Sequence, residues 1–206
     1  MQIKRFHIYG SVKNSLVLSV SLLAFVLLIS CHRSEYPLVL INTDLGAITL
    51  EVYPDKAPIT ANNFLRLLEQ DVYTDAIFYR VVRMDNQPDN EVRIEVIQGG
   101  LFEDDIIEGF PAIAHETTEM TGILHKDGVI SMARLGPGTA STEFFICVGD
   151  QPSLDYGGER NPDGQGFAAF GQVVKGMDVV REIQAMPDSG QMLLKPVKIL
   201  KIEVVR

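Results

Sequence analysis

The alternation of apolar and polar positions along the chain predicts a protein built mostly of short β-strands. Residues 47–53 alternate apolar and polar side chains with a period of two, which is typical of a strand that buries one face. Residues 44–46 form a turn before this stretch, so it is predicted to pair with residues 38–42 as an antiparallel hairpin. The same pattern predicts further strands over 78–83, 92–98, 128–134, 143–148, 167–174 and 197–205.

Two stretches repeat with the period of a helix instead. Pro58 suits a first helical turn, and apolar side chains recur at helical spacing after it, so residues 58–70 are predicted to form an amphipathic helix. A second helix is predicted to begin at Gly176 with its apolar side chains facing inward. Short antiparallel strands with two such helices favour a barrel or a sandwich over a parallel sheet, and the helices could plug the open ends of a barrel.

Two long segments lack a sustained period. Residues 103–120 are polar and acidic and are predicted to run as a loop with short strands. Residues 149–166 are predicted to form a long surface loop, and such loops in compact domains are usually functional or disordered. The sequence has no internal repeat, and 206 residues with 46% hydrophobic and 22% charged side chains fit one globular domain, placed at residues 37–206.

The first 30 residues have the pattern of a secretory signal. Basic residues up to Lys13 precede the apolar run 16–29, and the run ends in Leu28-Ile29-Ser30-Cys31, which resembles a bacterial lipobox. Residues 1–30 are therefore predicted to be a signal peptide that is cut before Cys31. Residues 31–36 would then be a tether lipidated at Cys31. The alternatives are an uncleaved transmembrane helix, although spanning takes roughly 20 apolar residues, and ordinary cleavage that leaves Cys31 as a free thiol.

The net charge and the cysteine content limit the kinds of partner that the chain is expected to bind. The formal net charge is −9, and it would become −12 without residues 1–30, which carry three basic and no acidic residues. Such an acidic chain argues against nucleic acid and against electrostatic attachment to anionic lipid, so membrane contact is predicted to come from acyl chains. The domain is expected at the periplasmic face of a membrane in a bacterial cell envelope, as a monomer. Cys147 lies in an apolar run and is predicted to be buried without a disulfide.

Two short stretches carry the candidate chemistry. One is Phe78-Tyr79-Arg80 with its partner Ile97-Gln98-Gly99-Gly100, and the other is the small-residue run from Gly136 that leads into Glu143-Phe144-Phe145-Ile146. They resemble the cyclophilin-type peptidyl-prolyl cis-trans isomerases, whose usual pattern is Phe-His-Arg, Gln-Gly-Gly, Ser-Met-Ala and Ser-Gln-Phe-Phe-Ile. The resemblance implies a mainly β fold, a closed eight-stranded antiparallel barrel capped by two α-helices. It also implies X-Pro isomerisation in proline-containing segments, here those of exported proteins.

The resemblance assigns roles residue by residue. Arg80 and Gln98 match the catalytic arginine and the glutamine that orients it, and Phe145 matches the floor of the proline pocket. The remaining residues predicted to bind substrate are Phe78, Val96, Met132, Ala133, Arg134, Leu154 and Phe167. Each residue also has a plainer interpretation. Arg80 could be paired to a surface carboxylate, Gln98 could be a satisfied core amide, and the apolar side chains could belong to the barrel core. No cofactor is implied, because twisting an amide requires no metal, nucleophile or proton transfer.

Several positions depart from the family pattern. Tyr79 stands where the family has His, Glu143 where Gln is usual, and Ser153 where Trp is frequent. These changes favour a second hypothesis, a cyclophilin-shaped module or chaperone that binds proline segments with little turnover. No metal site is predicted, because His115 and His125 fit no zinc spacing.

Overall fold

A computed structural model describes residues 35–205, which contain nine strands and four α-helices. The strands are β1 Leu38–Thr43, β2 Ala47–Val52, β3 Ile77–Val82, β4 Val96–Gly100, β5 Val129–Met132, β6 Phe144–Cys147, β7 Ala168–Lys175, β8 Asp188–Ser189 and β9 Met192–Val205. The helices are α1 Pro58–Glu69, α2 Asp104–Ile107, α3 Thr118–Thr121 and α4 Met177–Gln184, and Pro152–Leu154 forms a 3₁₀ turn.

Eight of the strands close into an antiparallel barrel. Their order is β1-β2-β7-β5-β6-β4-β3-β9, and β9 pairs back onto β1 with Leu38 opposite Val205. The ninth strand, β8, pairs with β9 as a short hairpin. The predicted closed eight-stranded barrel is confirmed.

The barrel interior is filled by aromatic and branched side chains from the strands and from the two longer helices. Phe64 of α1 packs against Phe144 of β6 and Phe170 of β7, with ring centroids 5.8 and 5.0 Å apart. Val180 and Ile183 of α4 are fully buried in the same cluster. Both amphipathic helices predicted from the sequence therefore form and bury their apolar faces, and Phe144 also points into the interior.

The segment 103–120 differs from its prediction, because it contains α2 and α3 and no strand. Asp104 and Asp105 lie in the first turn of α2, where negative charge is favourable. The side chain of Thr117 accepts a hydrogen bond from the backbone N–H of Met120 at the start of α3, and Gly122 ends that helix in a left-handed conformation. Local capping therefore determines where these two helices form, and each helix is too short to show a helical period in the sequence.

Two strand boundaries also differ. The strand predicted at 92–98 begins only at Val96, because the side chain of Gln87 binds both backbone groups of Ile94, at 2.8 Å to the oxygen and 3.3 Å to the nitrogen. The last strand begins at Met192, earlier than the predicted 197, because it forms a hairpin with β8.

The N-terminal predictions lie outside the described residues. The signal peptide over 1–30 and the lipidated Cys31 are among them. No helix within residues 35–205 is both long enough and apolar enough to cross a bilayer. Cys147 is fully buried as predicted, and burial raises the pKa of its thiol.

Candidate active site

A single groove of about 820 Å³ brings together most of the predicted site residues. Strand β4 lies between β3 and β6, so Gln98 is paired with Arg80 on one side and with Phe145 on the other. The three residues that matter most to the prediction thus stand in one row across three neighbouring strands. All three line the groove.

A bulge in β3 determines which side chains of this strand reach the groove. The register of β3 shifts between Phe78 and Arg80 against both of its neighbours, so Tyr79 has no pairing partner in either ladder. An inserted residue lets two successive side chains face the same side of a sheet. Tyr79 and Arg80 both line the groove as a result, whereas Phe78 and Val81 lie in the barrel interior.

Arg80 is held by neutral amides. Its Nη1 donates to Oε1 of Gln98 at 2.9 Å, and its Nε and Nη2 donate to Oε1 of Gln191 at 3.1 and 2.5 Å. Among the described residues no carboxylate forms an ion pair with it. Burial lowers the pKa of Arg80, but a guanidinium remains charged at physiological pH. The interpretation as a surface ion pair is therefore wrong.

A chain of hydrogen bonds continues from Arg80 across the groove. Gln98 accepts from Arg80 through its oxygen and donates through Nε2 to the hydroxyl of Tyr79 at 2.7 Å. The Tyr79 hydroxyl donates in turn to Oε2 of Glu143 at 2.6 Å. Both positions that depart from the cyclophilin pattern on this side of the groove are thus partners of each other. Gln98 is a satisfied amide, but the groups that satisfy it belong to the groove.

Glu143 ends this chain as a largely buried carboxylate. Its Oε1 accepts from the backbone N–H of Leu101 at 2.7 Å and from the hydroxyl of Thr142 at 3.3 Å. Burial raises the pKa of Glu143, and these hydrogen bonds and that from Tyr79 oppose the shift. Gly100 leaves room for the carboxylate, because a Cβ at this position would lie 2.2 Å from Oε1.

The apolar part of the groove is a cluster separate from the barrel interior. It contains Val82, Ile94, Val96, Phe145, Cys147 and Leu154, with Ala133 and Phe167 packed against it. The rings of Phe145 and Phe167 meet edge to face with centroids 5.2 Å apart. The ring of Phe145 also stacks on the ring of His125, with centroids 6.0 Å apart. This pocket cluster supports the predicted grouping of Val96, Ala133, Phe145, Leu154 and Phe167.

Comparison with known proteins decides the family. A family profile described as cyclophilin type peptidyl-prolyl cis-trans isomerase/CLD matches residues 38–204. The chain is 35% identical over 184 residues to a peptidyl-prolyl cis-trans isomerase of Acinetobacter baylyi, a match that covers 86% of this chain and 90% of the relative. The chain belongs to the cyclophilin family. It is also 33% identical over 150 residues to peptidyl-prolyl cis-trans isomerase B of Escherichia coli, covering 72% of this chain and 85% of that protein.

A solved cyclophilin has the same fold. The crystal structure of a cyclophilin type peptidyl-prolyl cis-trans isomerase from Cryptosporidium parvum matches with a TM-score of 0.65 at 20% identity, covering 83% of this chain and 98% of that one. The family match and the relatives at 30–35% identity show that this cyclophilin is a peptidyl-prolyl cis-trans isomerase. The resemblance inferred from the sequence is confirmed.

Two predicted substrate contacts of this cyclophilin are wrong. Phe78 and Met132 have no exposed surface, and both belong to the barrel interior rather than to the groove. Phe78 packs edge to face on Phe144 with centroids 5.8 Å apart. Each is the strand neighbour of a groove residue, and side chains of neighbouring residues point to opposite faces where the strand is regular.

Arg134 lines the groove of the cyclophilin, but its side chain is engaged by the loop beyond it. Two of its nitrogens bind both oxygens of Asp163 at 2.8 Å, and Nε and Nη2 donate to the carbonyl of Gly166 at 2.9 and 2.6 Å. Its guanidinium also lies over the ring of Phe167 at 5.1 Å. The hydrogen bond from Arg134 lowers the pKa of Asp163 to about 2. Arg134 therefore fixes the segment 163–167 beside the pocket.

The histidines considered as metal ligands have other partners. His125 stacks on the ring of Phe145, and its Nδ1 lies 2.8 Å from Asp155 and its Nε2 3.1 Å from the hydroxyl of Ser131. His115 contacts the carbonyl of Gln165 at 3.1 Å. Residues 35–205 contain no cluster of His, Cys, Asp or Glu suited to a metal ion.

Sequence reasoning missed one residue that touches Arg80. Gln191 stands in the β8–β9 turn, 111 positions from Arg80 in the chain, and no family motif marks it. The partnership of Tyr79 and Glu143 had a signal, because both positions depart from the family pattern together. Nothing comparable marks Gln191 in the sequence.

Proposed function

We propose that this cyclophilin accelerates X-Pro isomerisation by presenting the Arg80 guanidinium to an amide that is twisted out of plane. The observation that carries the proposal is that Arg80 is bound by two neutral amides and faces the groove shared with Phe145. Three of its five N–H groups have partners among the described residues. Two donors and a full positive charge are left for a ligand.

The physical basis is the loss of amide resonance at the transition state. Rotation about a peptide bond meets a barrier of about 18–20 kcal/mol, and at the twisted geometry the prolyl nitrogen regains a lone pair. A donor aimed at that nitrogen stabilises the twisted form more than either planar form, which is the condition for acceleration. The apolar walls formed by Val96, Phe145 and Leu154 suit the proline ring and exclude water from the hydrogen bond.

The neighbours of Arg80 support this role. A carboxylate in direct contact would neutralise the guanidinium, whereas the amide oxygens of Gln98 and Gln191 hold it without cancelling its charge. The negative group of the network, Glu143, is separated from Arg80 by Tyr79 and Gln98. The positive charge of Arg80 therefore remains available at the place where the substrate amide would lie.

A cyclophilin-shaped binding module or chaperone with little turnover is the second candidate, favoured by Tyr79 and Ser153 at positions where the family has His and Trp. Proline-limited refolding of a model protein separates the two, using a soluble form that begins near His32. An isomerase shortens the slow phase when present at one part in a hundred of the refolding protein. A binding module would leave that phase unchanged at this ratio and alter it only near equal amounts.

We further propose that the substrates are proline-containing segments of exported proteins, and that acyl chains on Cys31 hold the domain at the periplasmic face of a membrane. The support is the basic and apolar leader that ends at Cys31 and the acidic chain after it, whose net negative charge disfavours electrostatic binding to anionic lipid. Each buried CH₂ of an acyl chain contributes about 0.8 kcal/mol to membrane binding.

Replacing Cys31 with Ala should abolish lipid labelling and release the protein from membranes or block its processing. The measurement is incorporation of radioactive palmitate in bacterial cells, followed by membrane fractionation. Cys147→Ala is the matched control, because that thiol is fully buried and should leave labelling unchanged. Palmitate that persisted in the Cys31 variant would refute the anchor.

A further inference from the structure

A glutamine from the β8–β9 turn binds the guanidinium of Arg80 twice. Oε1 of Gln191 accepts from both Nε and Nη2, at 3.1 and 2.5 Å. The oxygen of Gln98 accepts from Nη1 at 2.9 Å. The plane of the guanidinium is thus set by two amide oxygens, and Gln191 supplies two of the three contacts.

The side chain of Gln191 can present only its oxygen to Arg80. Its Nε2 donates to the backbone carbonyl of Asn86 at 3.1 Å. A reversed amide would place NH₂ against the N–H groups of Arg80 and would leave the carbonyl of Asn86 facing an oxygen. The orientation of the amide is therefore fixed by its two partners together, since an arginine has no acceptor.

The backbone of Gln191 is fixed as well. Its N–H donates to Oδ2 of Asp188 at 2.9 Å, and its carbonyl accepts from the N–H of Val81 at 2.9 Å, one residue beyond Arg80. Its φ of 74° is left-handed, as the tight β8–β9 turn requires. Asp188 is bound in turn by Arg83 and by Asn86. These hydrogen bonds hold the β8–β9 turn in place beside β3.

We propose that Gln191 is a positioning residue that holds the Arg80 guanidinium in its productive orientation; this inference rests on the proposed role of Arg80. An arginine side chain has many rotamers. The reaction is faster when the donor that must meet a transient lone pair is already held in the right orientation. A neutral acceptor supplies that orientation without neutralising the charge. The last hairpin of the barrel is thereby part of the site.

The test uses two substitutions that remove the contact in different ways. Gln191→Met keeps the length of the side chain and removes its hydrogen bonds, whereas Gln191→Gly removes the side chain and suits the left-handed turn. Each should lower kcat for a proline tetrapeptide by about tenfold, the effect of losing one good hydrogen bond at the transition state. KM should change by less than about twofold, because the proline ring is bound by the pocket cluster.

Gln70→Met is the matched control, because Oε1 of Gln70 accepts from the guanidinium of Arg66 at 3.0 Å on helix α1, outside the groove. It should leave kcat unchanged. In an Arg80→Ala background, Gln191→Met should have no further effect on kcat, since the group it orients is absent.

The outcomes separate this inference from the proposed function. If Arg80→Ala lowers kcat and both Gln191 variants match the wild type, the positioning role is overturned and the role of Arg80 stands. If Gln191→Met lowers kcat equally with and without Arg80, the residue acts by another route and the inference also fails. If Arg80→Ala itself leaves kcat unchanged, the proposed mechanism fails first.

Discussion

Replacing Arg80 with Ala should lower kcat/KM for a proline tetrapeptide by about ten- to a hundredfold while the fold is preserved. The reason is the loss of a charge-assisted hydrogen bond made chiefly to the twisted amide, worth roughly 1.5–3 kcal/mol. The side chain lines the groove and takes no part in the barrel interior. The unfolding midpoint in urea should therefore move little.

Arg80→Lys should restore little of this activity. An ammonium keeps the charge, but it lacks the planar fork that lets one group bind Gln98, Gln191 and a ligand at once. Arg66→Ala is the control, because Arg66 also donates to neutral amides, those of Asn63 and Gln70, and lies on α1 outside the groove. An Arg80→Ala variant with unchanged kcat/KM would remove the basis of the mechanism and favour the binding module.

Replacing Phe145 with Ala should weaken binding of a proline peptide and destabilise the domain by about 3–5 kcal/mol. Phe145 is 4% exposed and forms the centre of the pocket cluster, so its loss removes both a binding surface and packed area. The measurements are the Kd of a proline peptide from an NMR titration and the free energy of unfolding in urea. Phe145→Leu gives a milder loss if the Ala variant does not fold.

Phe144→Ala separates binding from stability. Phe144 is the strand neighbour of Phe145, it is fully buried, and it packs on Phe64, Tyr73 and Phe78 in the barrel interior. Its loss should destabilise the domain by a similar 3–5 kcal/mol or so. The folded fraction should nevertheless bind the peptide with the wild-type Kd. Equal weakening of binding by both variants would argue against Phe145 as the pocket floor.

The periodic parts of the chain could be predicted because the spacing of apolar residues leaves little freedom in the type of element that forms. Both long helices and the barrel strands follow the apolar pattern, and the family motifs order them. Register within a strand is less visible, since one bulge in β3 decides that Tyr79 joins Arg80 in the groove and Phe78 does not. A bulge adds no distinctive residue type to the sequence, so the prediction for Phe78 failed. The prediction for Met132 failed because a motif identifies neighbouring residues but does not show which face of the strand each one occupies.

Contacts between distant segments were the least predictable part of the site. Local signals predict turns, and motifs predict residues that other members share, but neither reports which side chain approaches Arg80 from another strand. The hydrogen bonds of Gln191 depend on a turn whose geometry is set by Asp188, Asn86 and Arg83 together. Each of those residues reads as an ordinary surface polar group when the sequence is taken alone.

The closure of the barrel has a consequence for association between chains. Each of the eight barrel strands in residues 35–205 has a hydrogen-bonded neighbour on both sides, since β1 pairs with β9. An open sheet would offer unpaired backbone groups on which another chain could add a strand and begin to aggregate. The closed ladder of these eight strands presents no such template, and the other described strand, β8, has only 2 residues. We therefore expect the eight barrel strands to resist the addition of a strand from another chain.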